Sequence, residues 1–448
     1  MKQLFPFWKQ FNKKVMGMSE LPKGWVETTL GEVATISSSK RIFHSDYVNS
    51  GIPFYRSKEV IEKQKGNNIS TELFITKEKF NEIKSKFGAP EKDDLLLTSV
   101  GTLGVPYLVK INEIFYFKDG NLTWFRKYNG LAPNYIYHFF LSSIGKERLN
   151  EITIGSTQSA LTISGLKNIN INLPPLDEQK SIADILSSFD DKIELLREQN
   201  KTLETLSQTL FKEWFVKFNF PNATGEMINS ELGQIPKGWR VGRIKKFVKD
   251  SIGGDYGKDE LSKEFSEKTL CIRGTDLPDM KTGLPERAPI RYLKKQKIDN
   301  CRVVSGDVII EISGGTENQS TGRTIYINEE ILSNTDLPIT SVNFCRILRP
   351  VKKEYGYFIY SLFQYLYNNR TLFNWENGTT GIKNLALKAL LNDFDLIVPE
   401  SDKEILEFND LVGVNFKKIQ KNAAQIQTLE KTRDALLPKL MNGNIRVV

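Results

Sequence analysis

Pro174-Pro175-Leu176-Asp177-Glu178-Gln179 opens the stretch whose reading decides this fold. Ile182, Phe189, Leu196, Leu203 and Leu210 follow at intervals of seven, with Leu186 and Ile193 in a row beside them. No glycine or proline interrupts from Leu176 to Phe220. Apolar residues at heptad spacing without breakers predict a helix packed on a partner helix. Asp177 is placed to cap its start, Glu178 falls in the first turn, and Pro221 is expected to stop it. About 40 residues at roughly 1.5 Å each make a rod of about 60 Å. A rod of that length in mid-chain holds two things apart or docks a partner.

A second such stretch closes the chain. Pro399 precedes Ser401-Asp402-Lys403-Glu404, whose serine and glutamate have the spacing of a capping box. Ile405, Val412, Ile419 and Ile426 then recur every seven residues, and Leu429 and Leu436 continue an adjacent row. Pro438 is expected to bend or end the last turns, and Gly443 to stop them. Two rods of one chain, each with an apolar seam, most simply pack on each other. Asn200 and Asn422 fall on or beside those seams, where they either fix the register or face solvent.

The sequence also repeats. Leu21-Pro22-Lys23-Gly24-Trp25 returns as Ile235-Pro236-Lys237-Gly238-Trp239, and Leu30 returns as Ile244. Asp94-Leu95-Leu96-Leu97 ahead of Gly101 returns as Asp307-Val308-Ile309-Ile310 ahead of Gly314. Gly155-Ser156-Thr157 is echoed by Gly378-Thr379-Thr380. An apolar strand ending in proline, Ile169 to Pro174 or Phe394 to Pro399, then enters each rod. A period above 200 residues indicates duplicated domains and not a solenoid.

The expected order is an extension at 1–17, a globule at 18–174, a helix at 175–220, a second globule at 221–399 and a second helix at 400–448. Residues 106–117 and 323–327 read as strands, and residues 134–151 and 353–370 as helices. The class is α+β: two duplicated α/β globules on two long helices packed as an antiparallel coiled coil, with pseudo-twofold symmetry. Met16 and Met18 precede the first motif, and the functional chain is expected to begin near Met18.

A net charge of +8 and a pI of about 9.0 favour an anionic partner. Three cysteines without a CxxC pair fit a reduced, cytoplasmic home. No apolar run approaches the roughly 18 residues of a membrane span.

A catalyst is hard to find. His44 and His138 are the only histidines and make no metal spacing. Neither GxGxxG after a strand nor GxxxxGK[ST] occurs. Pro174-Pro175 lacks the neighbours an adenine methyltransferase loop needs. Asp93-Asp94 reads as a turn before a buried strand. What remains is loop chemistry suited to nucleic acid. Asn and Gln read adenine edges, Arg reads guanine, and Ser, Thr and Lys hold phosphates. The candidates in the first globule are Lys40, Arg41, Arg56, Thr102, Ser156, Thr157 and Gln158. Those in the second are Arg273, Asn318, Gln319, Arg323, Thr379, Thr380, Lys383 and Asn384. Arg56 and Arg273 occupy matching positions and serve either DNA or the fold.

The duplicated Leu21–Trp25 motif, Leu173-Pro174-Pro175-Leu176-Asp177-Glu178-Gln179, Gly155-Ser156-Thr157-Gln158, and Leu436–Met441 with Gly443–Val447 together resemble the specificity subunits of type I restriction-modification systems. The resemblance spans Met18 to Val448. The second copy departs from it: Pro399–Glu404 replaces the first copy's proline-rich entry, and Gly381 stands where the first copy has Gln158. The resemblance implies two target recognition domains, each reading half of a split DNA sequence, and helices that set their spacing. It implies two modification subunits that bind S-adenosylmethionine, and restriction subunits driven by ATP with Mg. The chain itself would bind no cofactor and no metal, and catalyse nothing. A coiled-coil scaffold with two protein-binding globules is the competing reading, and an active nuclease or methyltransferase a more distant one.

Overall fold

The computed structural model describes residues 21–66, 69, 71–155, 159–282, 287–378 and 382–447. The extension expected at 1–17 lies outside them. The chain forms two compact units, one reaching Glu194 and resuming at Leu429, the other Leu195–Thr428.

Among the described residues the first unit has ten strands. They are β1 (Val26–Thr29), β2 (Thr35–Ser37), β3 (Tyr47–Val48), β4 (Ile52–Tyr55), β5 (Phe74–Ile75), β6 (Leu95–Thr98), β7 (Pro106–Leu108), β8 (Tyr116–Phe117), β9 (Leu122–Arg126) and β10 (Asn170–Leu173). Its own helices are α1 (Leu30–Val33), α2 (Ser57–Gln64), α3 (Lys77–Phe87), α4 (Pro133–Leu141), α5 (Ser143–Glu151) and α6 (Ile163–Lys167). One sheet has the order β2-β9-β6-β7, the other β3-β5-β4-β8 with β4 and β8 parallel. Gly24, at φ +86°, lets the Trp25 amide turn back to the Pro22 carbonyl at 3.0 Å. β10 returns to pair antiparallel with β1, Val26 opposite Leu173. Its alternation buries Ile171 and Leu173 and exposes the two asparagines.

α7 (Leu176–Phe215) begins in this unit, and the end of α12 (Lys403–Met441) completes it. Ile182 and Leu186 of α7 and Leu437, Leu440 and Met441 of α12 enter one core with Trp25, Leu30 and Tyr135. Glu178 ties three segments together. Its carboxylate accepts the Trp25 indole N–H at 3.3 Å and the Arg446 guanidinium at 2.6 and 2.8 Å. The Arg446 bonds foremost hold the Glu178 carboxyl below its ordinary pKa.

The second unit repeats this plan. Its strands are β11 (Met227–Ser230), β12 (Gly233–Pro236), β13 (Trp239–Arg243), β14 (Val248–Gly253), β15 (Glu267–Ile272), β16 (Ile290–Leu293), β17 (Val308–Glu311), β18 (Ser313–Gly315), β19 (Thr324–Tyr326), β20 (Ile339–Ser341), β21 (Cys345–Pro350), β22 (Glu376–Asn377), β23 (Lys383–Leu385) and β24 (Asp395–Pro399). Its own helices are α8 (Lys295–Cys301), α9 (Glu329–Leu332), α10 (Gly356–Asn368) and α11 (Leu387–Asp393). The main sheet runs β14-β21-β17-β19, strand for strand the order of the first unit, and β15 with β20 repeats the parallel pair. β24 pairs antiparallel with β13, as β10 does with β1. Asp94 and Asp307 each enter their central strand by accepting the amide three residues back, at 3.0 and 2.8 Å. Each is then anchored from β9 or β21, by the Trp124 indole in one unit and by Arg349 in the other.

In the second unit Ile405, Phe408, Val412 and Ile419 of α12 share a core with Phe211, Trp214 and Phe215 of α7. Leu196 and Ile426 are also buried, while Phe189, Leu203 and Leu210 are half-buried. Asn415 Nδ2 meets Ser207 Oγ at 3.2 Å, and Asn422 Nδ2 meets Asn200 Oδ1 at 2.9 Å. Rising numbers on one helix meet falling numbers on the other, so the packing is antiparallel. The asparagine pair is inside, with Asn422 1% exposed.

Several local expectations change. α7 begins at Leu176, so Asp177 lies in the first turn, fully exposed, and does not cap. α7 ends at Phe215, well before Pro221: the Lys217 and Asn219 amides bond back to Lys212 and Glu213, and Phe218 turns left-handed at φ +63°. Pro438 does not end α12, which runs to Met441, because one missing N–H so near the end leaves most of the last turn bonded. Gly443, at φ +74°, follows. The Ser401 box does not close: α12 opens at Lys403, and Ser401 Oγ reaches the Lys403 amide at 3.4 Å and the Glu404 carboxylate at 3.3 Å. The helix expected over 134–151 is two, broken at Ser142, whose Oγ accepts the Gly145 amide at 3.0 Å. The strand expected over 106–117 is β7 and β8, parted by a turn with Asn112 at φ +64°.

Removing one member of a buried polar pair strands the other. Asn422→Leu is expected to destabilise the chain by about 1–3 kcal/mol. Adding Asn200→Leu should recover most of that loss, as read by denaturant unfolding of both variants.

His138 on α4 is 1% exposed, its Nε2 3.3 Å from Ser187 Oγ and its Nδ1 4.0 Å from Asp190, which itself pairs with Arg433 at 2.6 Å. Burial, aided by Arg433, pushes the imidazole pKa down to about 3. The unfolded chain therefore binds a proton that the folded chain refuses, and stability falls as pH drops from about 6.5 towards 3. His138→Gln is expected to flatten that acid slope in unfolding midpoints measured between pH 7 and 4.

Candidate nucleic-acid interface

In both units the central strand of the main sheet runs out into a glycine-bearing loop, β6 into Gly101 and β17 into Gly314. A hairpin lies against the first arm of that loop. In the first unit Val100 and Ile154 both bridge to Ala160. In the second, β18 and β22 flank β23. The candidates Ser156, Thr157 and Gln158 of one copy and Thr379 and Thr380 of the other all lie outside the described residues.

Around the first loop the turn Lys118–Asn121 gathers the other candidates. Its Gly120 amide donates to Ser38 Oγ at 3.2 Å, and Asp119 accepts Arg41 Nε at 2.8 Å. The Asn121 carbonyl accepts the Ser99 amide at 2.8 Å and Ser57 Oγ at 3.4 Å. Lys40 gives its amide to the Tyr116 hydroxyl, and its ammonium stands 5.1 Å from the Phe87 ring centroid. Arg56, Lys58, Thr102 and Asn121 line one hollow of about 550 Å³. The turn was not singled out from the sequence, although Asp119-Gly120 between two apolar runs is a turn signal.

In the second unit Asn318 and Gln319 occupy the turn after β18, and Lys383 and Asn384 lie on β23, with Asn384 opposite Ser313. Asn318 and Asn384 are exposed. The Gln319 amide nitrogen lies 3.4 Å from the Tyr367 hydroxyl. Glu376 was not anticipated. Its buried carboxylate accepts Ser320 Oγ at 3.1 Å and the Thr321 amide at 2.5 Å, and stands 3.4 Å from Lys383 Nζ. A single glutamate in a polar stretch gives no sign of that in the sequence.

Three candidate arginines are committed within the fold. Arg56 binds Glu59 through its amide at 2.8 Å and its guanidinium at 2.7 Å. Arg273 repeats this with Asp276, at 2.9 and 2.8 Å. Arg323 grips Glu311 with Nε at 2.9 Å and with Nη2. The carboxylate partner raises each guanidinium pKa. Matching positions thus serve matching turns, the start of α2 at Ser57 and the 3-10 turn Gly274–Asp276, each closed by its acidic residue.

Acid-base and nucleophilic chemistry is muted. Burial pushes the Cys271 thiol up to about 12 and also raises Cys301 and Cys345, which keeps all three protonated at neutral pH. His138 is held neutral by burial. Among the described residues no cluster of three or more His, Cys, Asp or Glu is placed to hold a metal, and no helix is long and apolar enough to cross a membrane. The arrangement presents amide, hydroxyl and ammonium groups on loops held by rigid strands.

Residues 22–205 match the family of the type I restriction modification DNA specificity domain. The chain is 28% identical to the type I restriction enzyme MjaIX specificity subunit of Methanocaldococcus jannaschii, over 97% of this chain and 96% of that one. It is 32% identical over 185 residues to a putative type I restriction enzyme specificity subunit of Haemophilus influenzae, covering 41% of this chain and 44% of the relative. The crystal structure of a type I restriction-modification S subunit from M. genitalium matches with a TM-score of 0.56 at 16% identity, over 94% of this chain and 98% of that one. That likeness concerns the fold.

Replacing a base-reading side chain should lower affinity, whereas replacing a committed arginine should lower stability. On the expectation that Asn384 reads a base edge, Asn384→Ala weakens duplex binding by about 1–3 kcal/mol with its salt dependence unchanged. Arg273→Ala should lower the melting temperature, because the buried Asp276 carboxylate keeps the backbone amide but loses the guanidinium. Titration and thermal melting of the two variants separate these roles.

Proposed function

We propose that this chain is a specificity subunit of a type I restriction-modification system, a non-catalytic chain that recognises the DNA target, and that each of its units reads one half of a split sequence. The observation that carries this reading is the duplication. Two units share the same sheet order, the same parallel strand pair and the same strand pairing ahead of a long helix. Two similar readers on one chain suit a bipartite target, as half-site spacing does for dimeric repressors.

The helices serve as the spacer, because a packed pair sets a distance that a flexible linker does not. They also dock two modification subunits. Leu206, Leu411 and Val414 of α7 and α12 are at least half exposed, and such apolar residues suit a partner surface. In this proposal the modification subunits bring S-adenosylmethionine and flip an adenine from each half-site. Restriction subunits supply ATP-dependent cleavage with Mg. Lysine and arginine contacts to phosphate make binding strongly salt dependent.

Cells carrying the cognate modification subunit are expected to show a split adenine-methylation motif only when this chain is present, as read by genome-wide methylation mapping. Exchanging residues 21–170 for the first unit of another family member should change one half of the motif and leave the other intact. A motif independent of the chain, or a swap that alters both halves, contradicts the assignment.

A further inference from the structure

We propose that a groove in the second unit, beside the reading patch, seats the sugar-phosphate backbone of the duplex. The proposal rests on the DNA-reading assignment above. The groove encloses about 990 Å³ and adjoins the patch through Ile312, which leads into β18, and Leu385, which ends β23. Its walls come from β14, β21 and α11. Lys245, Arg346 and Lys388 reach it, against one carboxylate, Asp393.

These cations differ from the arginines of the reading patch. Among the described residues, neither Arg346 nor Lys388 forms an ion pair. Lys245 Nζ donates to the Val248 and Lys249 carbonyls at 2.9 Å each, which leaves a third N–H and the whole charge uncompensated. Arg346 lies across Gly253, where a Cβ would stand 2.6 Å from Nη1, so the glycine leaves room for the guanidinium. Unpaired cations along an open groove are the pattern that phosphate contacts require, since those contacts position a duplex without reading its sequence.

The duplication provides an internal control. Ile310 faces Arg346 across β17 and β21, and Leu97 faces Thr123 across β6 and β9. Thr123 is buried and bonded to Ser99 at 2.7 Å. By the offset that matches Leu30 to Ile244, Gly31 stands at the place of Lys245. Counted from the buried Leu166 and Leu390, Ser164 stands at that of Lys388. The shared scaffold therefore does not need these three charges, which belong to the second unit alone.

The test uses the full chain assembled with its modification subunits and a duplex carrying the mapped motif, titrated across a salt series. R346Q/K388Q is expected to bind roughly tenfold more weakly near physiological salt, with a salt slope smaller by about 1.8, the value for two lost phosphate contacts. The methylated motif should not change, and the charge-preserving R346K/K388R should restore the slope. K388Q alone, on an exposed helical position, should lose about half of the slope change and serves if the double variant fails to fold. An unchanged slope in an assembled, motif-specific complex overturns the groove but not the reading of DNA. Lost assembly with the modification subunits at unchanged slope would instead give the groove to an acidic protein surface and overturn it. A wild-type complex without salt-dependent duplex binding overturns both.

Discussion

The pairing of each unit's first strand with its last is the constraint on which the rest depends. β1 with β10, and β13 with β24, close a globule at the point where the chain leaves it. The closing strand runs straight into a proline and then a helix, so the helix leaves from a hydrogen-bonded edge and not from a loose tether. Trp25 and Trp239 stand just ahead of or at the start of these pairs, both buried, each after a glycine with positive φ. A bulky ring in the core and a left-handed turn before it fix where the opening strand starts, and so which residues it can pair with.

The helix pair carries polar groups inside its apolar seam. An Asn–Asn hydrogen bond within a buried seam costs stability relative to leucine, but only the native register brings the two side chains together. Buried apolar residues alone, such as Leu196 and Ile426, tolerate a slide by one heptad far better. Arg433 with Asp190 places a charged pair in the first unit under the same logic, and its neighbour His138 is kept neutral by the surrounding apolar mass. At the end of the chain Arg446 closes on Glu178, so the last residues brace the entry of the central helix.

Duplication separates scaffold from function within one molecule. What both units share is framework: the Asp94 and Asp307 turns, the Arg56–Glu59 and Arg273–Asp276 turns, the four-stranded sheets. What differs lies at the loop ends and in the groove beside β21. The arginine at matching positions, Arg56 or Arg273, is held by a carboxylate in each unit. Arg346 repeats nowhere in the first unit, and its charge is left uncompensated.

Heptad spacing and breaker-free length identified the two long helices, because helical period and burial are written directly in residue order. The repeat identified two globules of one design, since landmarks in the same order require the same chain path. The ends of helices were less legible: Phe215 rather than Pro221 ends α7, and Pro438 passes inside α12, because i−5 and i−6 bonds and neighbouring turns outweigh single-residue preference. Of the candidate surface, only the loops were legible in the sequence. Only the tertiary structure decided which cations are free. Glu59, Asp276, Glu311 and Glu376 neutralise Arg56, Arg273, Arg323 and Lys383, and for Glu311 and Glu376 the partner comes from another strand or loop, which residue order does not show. Whether a charge is available to a ligand depends on what folds against it, and that is a property of three dimensions.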